Sequence, residues 1–266
     1  MNKQQEIRTV WVTRYVTALR EGGSMPAIAE ADDGFLYALK FRGAGQGIKA
    51  LMAELIGGEA ARALGLRVPE IVLAQLDEGF GRTEPDEEIQ DLLKASTGLN
   101  LALHYLSGAI SFDPAVHKVD EILASSIVWF DAWLMNMDRT AKNTNMLFWN
   151  KELWLIDHGA GLYFHHAGNN WKNDAAKAFP LIKNHVLLSF ATQLEQADAF
   201  CRAQLTNEKI KTIVGLLPLE WLEDSASTGT GTADELRESY SYFLQQRRDN
   251  AAIFIKEAND ARAVII

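Results

Sequence analysis

Between Met146 and Ile156 the chain writes a short β-hairpin, Met146 to Trp149 and Leu153 to Ile156 around an Asn150-Lys151 turn, and both of its outer ends are polar. Asn136-Met137-Asp138-Arg139-Thr140-Ala141-Lys142-Asn143 leads into it and Asp157-His158-Gly159 leaves it. A hairpin returns the chain to its starting level, so Asn143 and Asp157 are expected at the same end. Any fold of this chain has to bring those two polar segments together.

The segments before this hairpin set the surroundings. Thr9 to Leu19 is rich in β-branched and aromatic residues, and Pro26 to Ala31 is short. Asp32-Asp33-Gly34 is a turn signal leading into Phe35 to Phe41, which predicts a first hairpin. Phe35, Tyr37, Leu39 and Phe41 alternate onto one face and leave Leu36, Ala38 and Lys40 on the other, so Lys40 points away from the large side chains. After Gly43-Ala44-Gly45-Gln46-Gly47 the period changes. Leu51, Leu55, Ala60 and Leu64 follow a helical spacing up to Gly65. Ile71 to Leu76 is again extended, Gly79 to Glu88 is an acidic loop before a helical stretch to Ala95, and Leu99 to Leu106 reads as a last strand. A helix is predicted from Val119 to Met137, with Asp120 and Glu121 in its first turn, where the helix dipole favours acidic groups. The remainder is helical in character, interrupted by a polar loop from Ser225 before the capping box Thr232-Ala233-Asp234-Glu235.

Composition excludes several classes of function. Nearly half of the 266 residues are hydrophobic and about a quarter are charged, as in an ordinary globular protein. The formal charge of −9 repels phosphate backbones and anionic membranes, so neither nucleic acid nor a membrane is expected as a primary partner. The longest apolar runs, such as Ile127 to Met135, are broken by Asp131 and are too short to span a bilayer. Cys201 is the only cysteine and the opening Met1-Asn2-Lys3-Gln4-Gln5-Glu6 is polar, which makes a reducing cytoplasm the expected location.

Chemically, an Asp, an Asn five residues later and a second Asp beyond a hairpin suit phosphoryl transfer, which needs one carboxylate for the acceptor hydroxyl and two oxygen ligands for magnesium. Two rival motifs fit less well. Gly43-Ala44-Gly45-Gln46-Gly47 has Ile48 where a dinucleotide-binding loop has its third glycine, and the strands before it form a hairpin rather than a parallel pair. His158, His165 and His166 lie near Asp157, yet no spacing here matches a zinc site, and a substrate-facing or structural role is expected of them. Cys201, Trp133, Trp149 and Trp154 read as core.

The wording of the chain resembles the HipA-like kinase family, with echoes of phosphoinositide kinases. The resemblance lies in Leu39-Lys40-Phe41, Ala53-Glu54-Leu55, Leu64 to Glu70, Phe130-Asp131-Ala132-Trp133, Asp138-Arg139 to Asn143, and Leu155 to Gly159. It covers roughly the first two thirds of the chain, in family order. It implies an α+β, two-lobed protein-kinase-like fold: a β-rich N-lobe with one main helix over residues 1–108, and a mostly helical C-lobe over 109–266. It also implies an ATP- and Mg2+-dependent phosphotransferase, a serine/threonine protein kinase of bacteria acting on a protein substrate. A small-molecule or lipid hydroxyl remains an alternative acceptor, and a nucleotide-binding regulatory module without turnover is the alternative from another class.

By the same resemblance, Asp138 positions or deprotonates the acceptor hydroxyl and Lys142 is a candidate for the transferred phosphate. Asn143 and Asp157 hold magnesium, and Lys40 contacts the α- and β-phosphates. Glu54 is expected to pair with Lys40, Glu59 on the same helix being the fallback. The adenine would sit near Leu103 to Ser107. In place of a Gly-x-Gly-x-x-Gly loop stand Glu21-Gly22-Gly23-Ser24-Met25-Pro26, where Gly22, Gly23 and Ser24 could cradle phosphate through N–H groups and Ser24 could accept it, opposing ATP binding. Met137 replaces the histidine that precedes the catalytic Asp in common protein kinases, and Asp157-His158-Gly159 replaces Asp-Phe-Gly. The family further implies a toxin-like or regulatory role, and any restraining element is expected to be a separate protein or absent because the chain opens almost at its first strands.

Overall fold

Five strands of the first hundred residues close into a barrel in the order β1-β2-β3-β5-β4. The protein is described by a computed structural model that covers residues 6–19, 26–45, 47–82, 84–166, 175–227 and 231–265. β1 is Thr9–Ala18, β2 Ala27–Ala31, β3 Leu36–Lys40, β4 Ile71–Leu76 and β5 Gly98–His104. Neighbours pair antiparallel except β1 with β4, whose parallel register Thr9 with Leu73, Val10 with Ala74 and Trp11 with Gln75 closes the ring. So few strands enclose little volume, and the interior mixes small side chains, Ala27, Ala29, Ala31, Ala74 and Ala102, with larger ones such as Leu39, Val72 and Tyr37. The expected alternation holds for Tyr37, Leu39 and Phe41, all buried. Phe35 departs from it: next to the turn it is 54% exposed and meets His104 edge-on at 5.5 Å.

Helix α1, Gly47–Ala63, is buried all round from Leu51 to Ala61, because it lies between the barrel and the helices that follow. An unpaired charge in such a helix would be costly, so its Glu54 and Glu59 need partners. β3 is tied to the far end of the chain just beyond Lys40. There Arg42 forms ion pairs with Glu220 and Asp224 of helix α6, Leu219–Ser227, while the buried Trp221 donates its indole N–H to the Leu99 carbonyl at 2.9 Å. α6 takes in Ser225 to Ser227, which the sequence assigned to the polar loop.

Helix α2, Glu87–Ala95, covers one end of the barrel, and strand β6, Ile110–Ser111, starts the second sheet, order β6-β7-β8. β7, Met146–Trp149, and β8, Glu152–Leu155, form the expected hairpin, with φ of 50° and 65° at Asn150 and Lys151 as its two-residue turn requires. Helix α3, Glu121–Leu134, is the centre of the helical part, touching α4 (Leu194–Gln204), α7 (Ala233–Asp249) and α8 (Ala251–Ile265). Its start is two residues later than the sequence implied: Asp120 lies outside the first turn and caps it, accepting from the Ile122 and Leu123 N–H groups. Its end comes three residues before Met137. Met135 turns left-handed with φ 57°, and the Asn136 N–H bonds back to the Asp131 carbonyl at 2.8 Å.

Of the three tryptophans expected in the core, Trp133 is buried, while Trp149 and Trp154 are half-buried on the second hairpin. Cys201 is buried in α4, and burial pushes its thiol up to about 12, so it packs and does not react. Helix α5, Asn207–Gly215, packs against α1 and α7, and the capping box at Thr232 forms as expected. No helix among the described residues is long and apolar enough to cross a membrane.

Candidate active site

Three chain segments meet at the Lys40 ammonium. β3 carries Lys40 on the face turned from the barrel interior, α1 carries Glu54, and the chain leaving β8 carries Asp157. Lys40 Nζ donates to Glu54 Oε2 at 2.7 Å and to Asp157 Oδ1 at 2.6 Å. Burial pushes the lysine pKa down, but the charges of Asp157 and Glu54 outweigh it and hold Lys40 protonated well above its ordinary range. Glu54 is fully buried. Burial raises its pKa, but the Lys40 charge and the His158 side chain outweigh this and the carboxylate stays ionised, while the His158 amide donates to Oε2 at 2.7 Å.

Glu54 is therefore the partner of Lys40. Glu59 lies one and a half turns on, near Arg62 at 3.6 Å, and burial raises its pKa.

Asp157 is reached through a close approach and a left-handed turn. A side chain at Gly57 would bring its Cβ to 2.7 Å from His158 Cβ, so a glycine in α1 is what lets the Asp157-His158-Gly159 segment lie against the helix. His158 is buried there, edge-on to Phe130 at 5.7 Å. Asp157 itself has φ 57°, the left-handed region that aspartate and asparagine enter more readily than other non-glycine residues. Its side chain remains 40% exposed, and Oδ1 alone is taken by Lys40.

On the other side of the hairpin, Asp138 is half-buried and its Oδ2 accepts from Asn143 Nδ2 at 2.9 Å. An amide that donates through nitrogen turns its oxygen the other way. Among the described residues, Asn143 Oδ1 and Asp157 Oδ2 are thus oxygen ligands without a hydrogen bond, placed by strand ends that the Ile156 N–H to Asn145 O bond of 3.0 Å holds together. Among the described residues no group of three or more His, Cys, Asp or Glu side chains could hold a metal. Two oxygen ligands suit a hydrated magnesium ion that takes its remaining ligands from phosphates and water. Lys142, next to Asn143, is exposed. Gly22, Gly23 and Ser24 lie outside the described residues, as do residues 167–174 of the segment from Phe164 to Pro180. Of the three histidines, His158 and His165 are buried, and His165 Nδ1 meets the Tyr240 hydroxyl at 2.9 Å, a structural contact.

The loop carrying Asp138 is braced by residues that sequence reasoning passed over. Arg139 is buried and bonds Asp131 Oδ2 through Nε at 2.6 Å, the Asn145 carbonyl, and the Ile156 carbonyl at 3.4 Å. His185 Nε2 reaches the same Asp131 oxygen at 2.9 Å, and Asn136 Nδ2 takes Oδ1 at 2.9 Å. Because the Leu187 N–H donates to His185 Nδ1, the neutral ring carries its proton on Nε2, facing Asp131. Thr140 pairs with His185 as an isolated bridge, and the Val186 N–H bonds the Arg139 carbonyl at 3.1 Å. The one visible signal for this brace was a charged residue, Asp131, inside an otherwise apolar helix.

Residues 12–251 match the sequence profile of the HipA-like kinase family. No curated protein matches the chain in sequence. Among solved structures, the crystal structure of a Helicobacter pylori proinflammatory kinase, CtkA, superposes with a TM-score of 0.56 at 13% identity, covering 98% of this chain and 99% of that one. The Golgi casein kinase with Mn/ADP bound superposes with a TM-score of 0.44 at 12% identity, over 98% of this chain and 75% of its own. The likeness to CtkA shows a kinase-like α+β fold.

Proposed function

The chain belongs to the HipA-like kinase family and is a phosphotransferase, and from that premise we propose that it moves the γ-phosphoryl group of ATP, with magnesium, onto a serine or threonine hydroxyl of a protein. The observation that carries this reading is the Lys40 ammonium bonded at once to a carboxylate 14 residues away and to one 117 residues away. A lysine held ionised and aimed by two carboxylates is a fixed positive charge suited to nucleotide phosphates. Glu54 orients it from a buried helix. Asn143 Oδ1 and Asp157 Oδ2 are the groups that would hold magnesium, which when bound neutralises charge on the phosphates. Asp138 receives the acceptor hydroxyl and its proton, and Lys142, exposed beside it, is placed to meet the transferred phosphate. The two parts of the chain, residues 1–108 and 109–266, act as the lobes that enclose the nucleotide. The cytoplasm and a separate regulatory protein complete the reading.

Transfer of labelled γ-phosphate tests it. The purified protein with magnesium is given itself, a generic protein and cell lysate as acceptors, in parallel with Asp138→Asn and Asp157→Asn. Label on serine or threonine that either substitution reduces by about 10²- to 10⁴-fold supports the assignment. Label on a lipid or small molecule would replace the protein acceptor, and full activity in Asp138→Asn would remove the assignment of that residue.

A further inference from the structure

Asp138 is held by a second amide besides Asn143. Asn145 Nδ2 lies 3.2 Å from Asp138 Oδ2 and 3.4 Å from the Asp138 carbonyl oxygen. An amide end that faces a carboxylate oxygen has to be its NH2 group, since two oxygens would repel, so the direction of this bond follows from chemistry. Asn145 is itself fixed on both sides: its carbonyl accepts from Arg139 Nη1 and from the Ile156 N–H, it is buried, and its φ is 47°, a left-handed conformation in which asparagine is favoured. With Asn143 it puts two donors on Oδ2. Among the described residues none reaches Oδ1.

We propose that Asn145 is a positioning residue that clamps Asp138 through Oδ2, so that Oδ1 is the oxygen presented to the acceptor hydroxyl. This rests on the reading of Asp138 as the hydroxyl-binding carboxylate. Asn143 already has a part at the metal in that reading, whereas Asn145 has none. Removing its amide therefore loosens the carboxylate without withdrawing a ligand from magnesium. A bond to a charged acceptor is strong enough for its loss to be felt in the rate.

Two substitutions separate this role from a packing one. Asn145→Gly keeps the left-handed backbone accessible and deletes the amide. Asn145→Asp keeps the size and tolerates the same backbone, but turns the donor into an oxygen facing Asp138. The readouts are γ-phosphate transfer, to protein or to water, the KM for ATP, and the melting temperature with and without ATP and magnesium. The expected result is a kcat lower by roughly ten- to a hundredfold in Asn145→Gly and lower still in Asn145→Asp, with the KM for ATP and the ATP-induced shift in melting temperature within about twofold of the unsubstituted protein. Wild-type kcat in Asn145→Gly, while Asp138→Asn is inactive, would overturn the proposal and leave Asp138 in place. Loss of kcat in both variants only in step with lost ATP affinity and melting temperature would overturn it too. Full activity in Asp138→Asn would instead sink the reading beneath it.

Discussion

Two buried clusters of charge lie on either side of the hairpin β7-β8, and they are finished differently. In the brace, Asp131 and Arg139 side chains are fully buried and His185 is 2% exposed, and both oxygens of Asp131 are taken, Oδ1 by Asn136 and Oδ2 by Arg139 and His185. In the Lys40 cluster, Asp157 is 40% exposed and, among the described residues, nothing bonds its Oδ2, whereas the atoms left without a hydrogen bond in each cluster, Glu54 Oε1 here and Arg139 Nη2 in the brace, are buried. A closed ion pair inside a core is destroyed by removing either partner, because the survivor cannot reach water. An open one can exchange partners with a ligand at its exposed edge. The contrast assigns the brace to holding the Asp138 loop and the Lys40 cluster to meeting what binds there.

The hardest way to break that contrast is Arg139→Met, which leaves the Asp131 charge buried. Its expected cost is about 3–5 kcal/mol of stability, measured by urea unfolding, as for other broken buried pairs. A loss below about 1 kcal/mol would show that the brace is not what holds the loop. Next in size is Glu54→Gln. Lys40 keeps Asp157, so the fold tolerates the change better than it tolerates Arg139→Met, but the ammonium loses its aim. Transfer is expected to fall on the order of 10²-fold, the scale of a misplaced reacting group. Glu59→Gln, on the same helix but away from Lys40, should leave transfer within about twofold; the reverse ranking of the two glutamates would undo the pairing as the source of the effect.

The Lys40 cluster was the more legible of the two because its logic is local. Strand alternation turns Lys40 from the barrel interior, and a hairpin has to return Asp157 to the level of Asn143, whatever the rest of the chain does. The choice between Glu54 and Glu59 was not local, since α1 is buried on every side and its pattern marks no inward face. The barrel's closure was invisible for a related reason: β1 meets β4 over three residue pairs, too few to leave a periodic trace, and its interior is rich in alanine, which signals a strand poorly. The end of α3 carries no glycine, and Met135 takes the left-handed turn that a glycine would have announced. The brace draws on Asp131, Arg139 and His185, 54 residues apart at the widest, and its Asp131 read only as a break in an apolar run.

The smallest effect sharpens the comparison most. Asp131 is pushed up by burial, but the Arg139 charge and the His185 hydrogen bond outweigh this and hold its pKa below the ordinary value of 3.8. A carboxyl group whose pKa is depressed by folding contributes stability that is complete above its unfolded value and lost as pH falls below it, because the unfolded chain then takes up a proton that the native state refuses. The loss attributable to Asp131 should thus begin near pH 4 and steepen downward, at no more than about 1.4 kcal/mol per pH unit for one proton. Glu54 is depressed in the same direction by Lys40, so the unsubstituted protein carries both contributions. Urea unfolding at pH 5, 4 and 3.5 should show a shallower acid slope in Asp131→Asn than in the unsubstituted protein, from a lower starting stability because Arg139 is left without its carboxylate. Magnesium and ATP, which on the proposed reading meet only the Lys40 cluster, should leave the slope difference between those two proteins unchanged. A difference that vanished with ligand would mean that the two clusters titrate as one, and the division between frame and binding edge would fall.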